Sequence, residues 1–234
     1  MQKLTVKNRG VFVSFEGGEG VGKSTQILLL AARLEAAGIE TLRLREPGGT
    51  TIGEAIRNIL LDPANTALDD VSELLLYEAA RAQLVSAVIE PALARGVTVL
   101  CDRFIDSTLA YQGAARGLGF DLVDRANRLG SKGLTPDRTV VLVHDPLEAL
   151  NRATEEGADR LEAEGLAFHT RVLEGFEQVA AREPARVRLV RSLERKEDTA
   201  AAVFAELGDL FPQAAALDFV ITTELIDRVR EEHD

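Results

Sequence analysis

From Gly17 the chain reads GGEGVGKS: a glycine, four residues, a second glycine, then lysine and serine. This is the spacing of a phosphate-binding loop. Glycines let the backbone wrap a polyphosphate with its N–H groups turned inward, and a helix starting just after them adds partial positive charge. Lys23 then reaches the β- and γ-phosphates of a nucleotide, and the Ser24 hydroxyl suits Mg²⁺. The residues so assigned to ATP are Gly17, Gly18, Glu19, Gly20, Val21, Gly22, Lys23, Ser24 and Thr25. The bland alternative is a glycine turn that merely joins two elements. Asp102 follows the apolar run VTVLC and supplies the acid that a metal beside this loop calls for. Cys101, inside that run, reads as core and not as a nucleophile.

A second group of residues suits a second phosphorylated ligand. Arg103 follows Asp102 and would stand between donor and acceptor phosphates. Tyr77 and Arg81 are four residues apart and share a helix face, pairing a ring that stacks with a forked donor. Ser107 and Tyr111 repeat the spacing, with Thr108 and Gln112 one step round. Taken singly, each of these has an ordinary structural reading. Neither an Asn-Lys-x-Asp guanine reader nor an Asp-x-x-Gly switch is present, so the loop is not that of a GTPase.

The elements that must hold these groups alternate. Val11–Glu16, Thr41–Arg45, Val97–Cys101, Thr139–Val143 and Val187–Val190 read as strands. Between them lie helical stretches: Lys23–Ala37, Ile52–Leu61, Ser107–Ala115, Leu122–Leu129 and Asp198–Leu210. A longer one starts at an Asp69 or Asp70 cap and runs to about Leu93, with Pro91 disturbing its last turn. Asp145-Pro146 reads as a cap, and Phe168, Val172, Phe176 and Val179 fall at helical spacing. Strand–helix alternation predicts an α/β P-loop fold, a five-stranded parallel sheet with helices on both faces.

Size and charge narrow the partners. The 234 residues suit one domain, with 46% hydrophobic and 28% charged residues. A net charge of -11 argues against a protein that coats nucleic acid, and no apolar run approaches the roughly 20 residues that span a bilayer. The N-terminal segment lacks the apolar region of a signal peptide, and one cysteine allows no internal disulfide, so the cytoplasm is the expected compartment.

With these motifs in hand, the chain resembles the bacterial thymidylate kinases from about Gly10 to about Leu210. The resemblance rests on FEGGEGVGKST, REPGGT, LLLYEAARAQ, CDRFIDSTLAYQG and PDRTVVL. It implies transfer of the ATP γ-phosphoryl group to dTMP, with Mg²⁺, by a homodimer. By position, Glu19 would lie near the sugar hydroxyl and Arg103, while Arg57 and Arg103 would hold the 5′-phosphate. Tyr77, where the family commonly has Phe, would stack on thymine, and Arg81 would bond its edge. Ser107, Thr108, Tyr111 and Gln112 would shape the pocket, with Tyr111 near C2′. A Glu46-Pro47 bond in the cis form would bend its loop over the nucleotide. The resemblance also implies catalytic arginines in a lid, about 151–165. Arg152 and Arg160 are present there, but the segment between them is acidic, and either could act. Residues 1–211 then form a single domain, and 212–234 a tail without an assigned job. A P-loop ATPase switch, or an inactive nucleotide-binding homologue, is the alternative reading.

Overall fold

The computed structural model describes residues 9–145, 147, 160–161 and 163–231. Five strands, β1 (Phe12–Glu16), β2 (Thr41–Arg45), β3 (Thr98–Asp102), β4 (Arg138–Val143) and β5 (Val187–Arg191), form one parallel sheet in the order β2-β3-β1-β4-β5. Both faces are covered, which is why β1 and β4 are buried almost throughout and do not alternate between buried and exposed positions.

Helix α1 (Lys23–Ala36) leaves the glycine loop and lays Leu30 and Leu34 against Phe15 and Leu142. On the other face α7 (Leu166–Arg182) packs Phe168, Val172 and Phe176 around Tyr111 and Val141. A third cluster joins Phe12 to Phe104, whose rings meet edge to face with centroids 4.9 Å apart. Cys101 is sealed inside it and donates through Sγ to the Arg103 carbonyl at 3.1 Å.

Helix α2 is Thr51–Leu61, and the long helix differs from the sequence reading. Asp69 caps it, accepting from the N–H groups of Val71 (3.0 Å) and Ser72 (3.1 Å). Then α3 (Asp70–Leu84) opens into a wide π turn (Val85–Ile89) before α4 (Glu90–Ala94). Pro91 explains the change: it offers no N–H to a regular ladder and its ring crowds the carbonyl four residues back, so the helix widens before it. The helix expected from Ser107 starts earlier, as α5 (Ile105–Thr108), and is also π-wound over Leu109–Ala115. Gly175 of α7 lies against that stretch; a Cβ there would sit 2.9 Å from Ala110 Cα, so only glycine allows the approach.

Helix α6 spans Phe120–Gly130. The last helix of the sequence reading is shorter than expected: α8 (Lys196–Ala205) ends in turns, and Pro212 opens a separate α9 (Pro212–Ala215). The tail then forms α10 (Thr223–Glu231), whose Ile226 packs on Leu28 and Leu29 of α1. Pro146 lies outside the described residues; Asp145 does accept from the Leu147 N–H at 2.9 Å, as a cap would.

The register decides where chemistry can occur. Phe15 of β1 pairs with Asp102 of β3, so the loop after β1 and the residues after β3 emerge side by side. A crevice beyond the carboxyl ends of strands that diverge in connectivity is where such sheets bind ligands.

Candidate functional site

The loop after β1 turns at Gly17, φ +129°, where a Cβ would meet the Leu142 carbonyl oxygen at 2.3 Å. No residue with a side chain fits there. Lys23, in the first turn of α1, is buried and donates to the carbonyl oxygens of Gly18 (2.8 Å) and Gly17 (3.4 Å). Burial, then the charge of Arg103, hold its ammonium below the usual lysine range; Glu19 and Asp102 partly offset them. Ser24 Oγ donates to Asp102 Oδ2 at 3.3 Å, and both border a cleft of about 730 Å³ on the β2 side. Two hard oxygens side by side fit a Mg²⁺ that takes its other ligands from phosphates and water. Among the described residues no cluster of three or more acids, histidines or cysteines offers a fuller cage.

Arg103 is turned toward the loop by a left-handed backbone, φ +68°, pinned by its N–H to the Phe15 carbonyl at 2.8 Å. Such a conformation costs a non-glycine residue about 1–3 kcal/mol, so its surroundings must hold it. Its guanidinium donates to the Gly17 carbonyl at 2.9 Å and Ser107 Oγ at 3.2 Å, and is paired with Glu19. The Tyr111 ring lies 5.1 Å beneath it, and the Tyr111 hydroxyl donates to Glu19 at 3.4 Å. Burial would raise the Glu19 pKa, but Arg103 and Lys23 outweigh it and keep the carboxyl below its ordinary value.

The residues singled out on α3 and α5 come together. A cleft of about 320 Å³ is lined by Glu19, Glu46, Tyr77, Arg81, Arg103, Phe104, Ser107, Thr108, Tyr111, Gln112 and Leu161. Pro47 and Arg57 border the adjoining loop: the Glu46–Pro47 bond is cis, and Arg57 Nη1 donates to the Pro47 carbonyl at 3.0 Å.

Arg81 is buried, and its guanidinium is fully engaged. It pairs with Glu46 (2.8 Å) and Glu78 (2.6 Å) and donates to Asn127 and Thr108, at 2.8 and 2.9 Å. An edge contact from Arg81 to a base therefore requires one of these bonds to be exchanged. Glu46 is buried with one oxygen unpartnered; burial lifts its carboxyl to about 7 despite Arg81.

Of the two lid arginines, Arg152 lies outside the described residues. Arg160 is buried, donating to the Leu60 carbonyl (2.7 Å) and to Glu73 (2.5 Å). It anchors the end of the lid segment to α2 and α3 here, and is not presented to a phosphate.

The sequence reading passed over Glu73, Phe104, Arg116 and Leu161. A signal for two of them existed: Glu73 is four residues before Tyr77, and Arg116 four after Gln112, so each extends a face already singled out.

Comparison with known proteins converges on one family. The thymidylate kinase family model matches residues 15–203. The thymidylate kinase of Solidesulfovibrio magneticus is 47% identical over 208 residues, covering 86% of this chain and 100% of that one. That of Deinococcus radiodurans is 46% identical over 203 residues, covering 86% and 98%. The crystal structure of thymidylate kinase from Ehrlichia chaffeensis superposes with a TM-score of 0.67 at 33% identity, over 86% of this chain and 97% of that one. With a glycine loop, a clasped Arg103 and a cleft lined by Tyr77 and Arg81 in one crevice, and with these likenesses along most of its length, the chain belongs to the thymidylate kinase family.

Proposed function

We propose that this chain phosphorylates dTMP to dTDP, taking the γ-phosphoryl group of ATP. One observation carries the reading: Arg103 joins the phosphate loop to the cleft, touching Gly17 and Glu19 on one side and Ser107 on the other. A guanidinium there lies where donor and acceptor phosphates would meet.

The acceptor phosphate oxygen is already a nucleophile, so the protein's task is alignment and charge neutralisation. Backbone N–H groups of residues 17–24 hold the donor phosphates, and Lys23 exchanges its loop carbonyls for phosphate oxygens. Arg103 and Arg57 hold the acceptor phosphate. Tyr77 stacks on the base, with Glu46, Pro47, Arg81, Thr108 and Gln112 around it, and Tyr111 crowds the 2′ position. Ser24 and Asp102 would hold Mg²⁺, which when bound neutralises charge on the transferring group. Arg152 or Arg160 would add positive charge from the lid; Arg160 must first leave Glu73.

We also propose a homodimer. Large apolar side chains stay exposed at helical spacing on three adjacent helices: Ile52 and Ile59 on α2, Val71 and Leu75 on α3, Leu122 and Leu129 on α6. No helix among the described residues is long and apolar enough to cross a membrane. We assign the reaction to the cytoplasm because the lone Cys101 cannot form an internal disulfide.

The test is ADP release from Mg·ATP with dTMP, with dUMP and without acceptor. Release should depend on dTMP, be weaker with dUMP, and fall about 10²-fold or more in Lys23→Ala. Release without acceptor would make the protein an ATPase switch, and no release despite ATP binding would make it an inactive homologue.

A further inference from the structure

We infer that Glu73 is a positioning residue that fixes the Gln112 amide so that the cleft offers an acceptor to the base, selecting pyrimidines that carry N3–H. The inference rests on the cleft being the nucleobase site, as proposed above.

Glu73 is fully buried on α3, one turn before Tyr77. Its carboxyl accepts from Gln112 Nε2 at 2.7 Å, from Arg116 Nε and Nη2 at 3.3 and 3.2 Å, and from Arg160 Nη2 at 2.5 Å. Burial would raise its pKa, but the bonds from Gln112 and the two arginines outweigh it and hold the acid ionised.

An ionised carboxylate can only accept. The Gln112 amide must therefore turn its NH₂ toward Glu73, which leaves Oε1 on the opposite side. Gln112 is itself buried and lines the cleft, and no donor among the described residues bonds Oε1. Rotating the amide would break a charge-assisted bond and put oxygen against oxygen, so the acceptor is locked in place. Thymine and uracil present N3–H to such an oxygen. Cytosine presents a lone pair at N3, and the two acceptors repel. Buried polar groups left facing the wrong partner discriminate strongly.

In Glu73→Gln the carboxylate is gone and the Gln112 amide is free to turn over. The experiment measures dTMP and dCMP by calorimetric binding and by kcat/KM, in wild type, Glu73→Gln, Gln112→Leu and the double variant. The preference for dTMP over dCMP should narrow about tenfold or more in Glu73→Gln, the worth of one hydrogen bond. It should narrow as far in Gln112→Leu, and no further in the double variant.

Two results overturn the inference: dTMP and dCMP weakening by one common factor in Glu73→Gln, or an intact preference in Gln112→Leu. The second holds even if Glu73→Gln fails to fold. Failure of the proposed reaction looks different: wild type would bind dTMP over dCMP and make no dTDP, with the role of Glu73 upheld by binding alone.

Discussion

Glu16 closes β1 with its carboxyl out of reach of water, accepting from the Phe104 N–H at 2.8 Å and from Ser107 Oγ at 2.5 Å. Burial, then repulsion from Asp106, lifts it to about 8 from 4.5; Ser107, Arg103 and the Phe104 N–H pull the other way. Between those two values the folded protein holds a proton that the unfolded chain releases, so stability falls as pH rises through this window. The melting temperature should drop between pH 6 and pH 8, by roughly 5 °C from this group alone, on the order of 2 kcal/mol. Glu16→Gln keeps the shape without the proton, and its melting temperature should vary less over that range. Equal slopes for the two proteins would refute the assignment. The sequence shows Glu16 only as the end of a strand, because its partners come from residues 104–107. The glycine loop was legible for the opposite reason: its chemistry lies in consecutive residues. Glu73 stayed hidden because the residues that give it meaning, 112, 116 and 160, are distant in the chain.

Strands and helices were read nearly residue for residue where an apolar period ran unbroken, as in β2 and β4. The π turns were read only in part: Pro91 marked a disturbance near the end of the long helix but not its form, and the winding over Leu109–Ala115 accompanies close packing by α7, which no local pattern reports. Nor did the sequence assign the tail a place. The family model ends at residue 203, ahead of α9 and α10, yet both pack on α1. Arg33 of α1 donates through Nε and Nη2 to the Ala214 carbonyl at 3.2 Å and stacks on Phe204, 3.5 Å from the ring centroid. Ile226 covers Leu28 and Leu29, and burying one such side chain contributes about 1.5–3 kcal/mol. A chain ending at residue 211 should melt roughly 5–10 °C lower, with dTMP turnover close to that of the full chain. An unchanged melting temperature would mean the strap adds nothing to the fold.

For the molecule as a whole, charge and apolar surface point in different directions. A net charge of -11 repels anions at long range, so under the proposed function Lys23 and Arg103 would attract the substrates locally, inside a crevice that raises the value of each charge. The apolar strip on α2, α3 and α6 is the surface on which the proposed homodimer would pair. Sedimentation at about 10 µM should give twice the 25.3 kDa of one chain, and Leu75→Glu should halve that mass. A wild-type protein that sediments as a single chain would refute the dimer. The single thiol, finally, gives the sheet a clock of its own. Cys101 is enclosed in β3, between β1 and β2, and burial pushes its pKa well above 9. Reagents attack the thiolate, so they meet this sulfur only when the strand that delivers Asp102 and Arg103 comes loose. The pace of its labelling therefore counts how often that side of the crevice falls open.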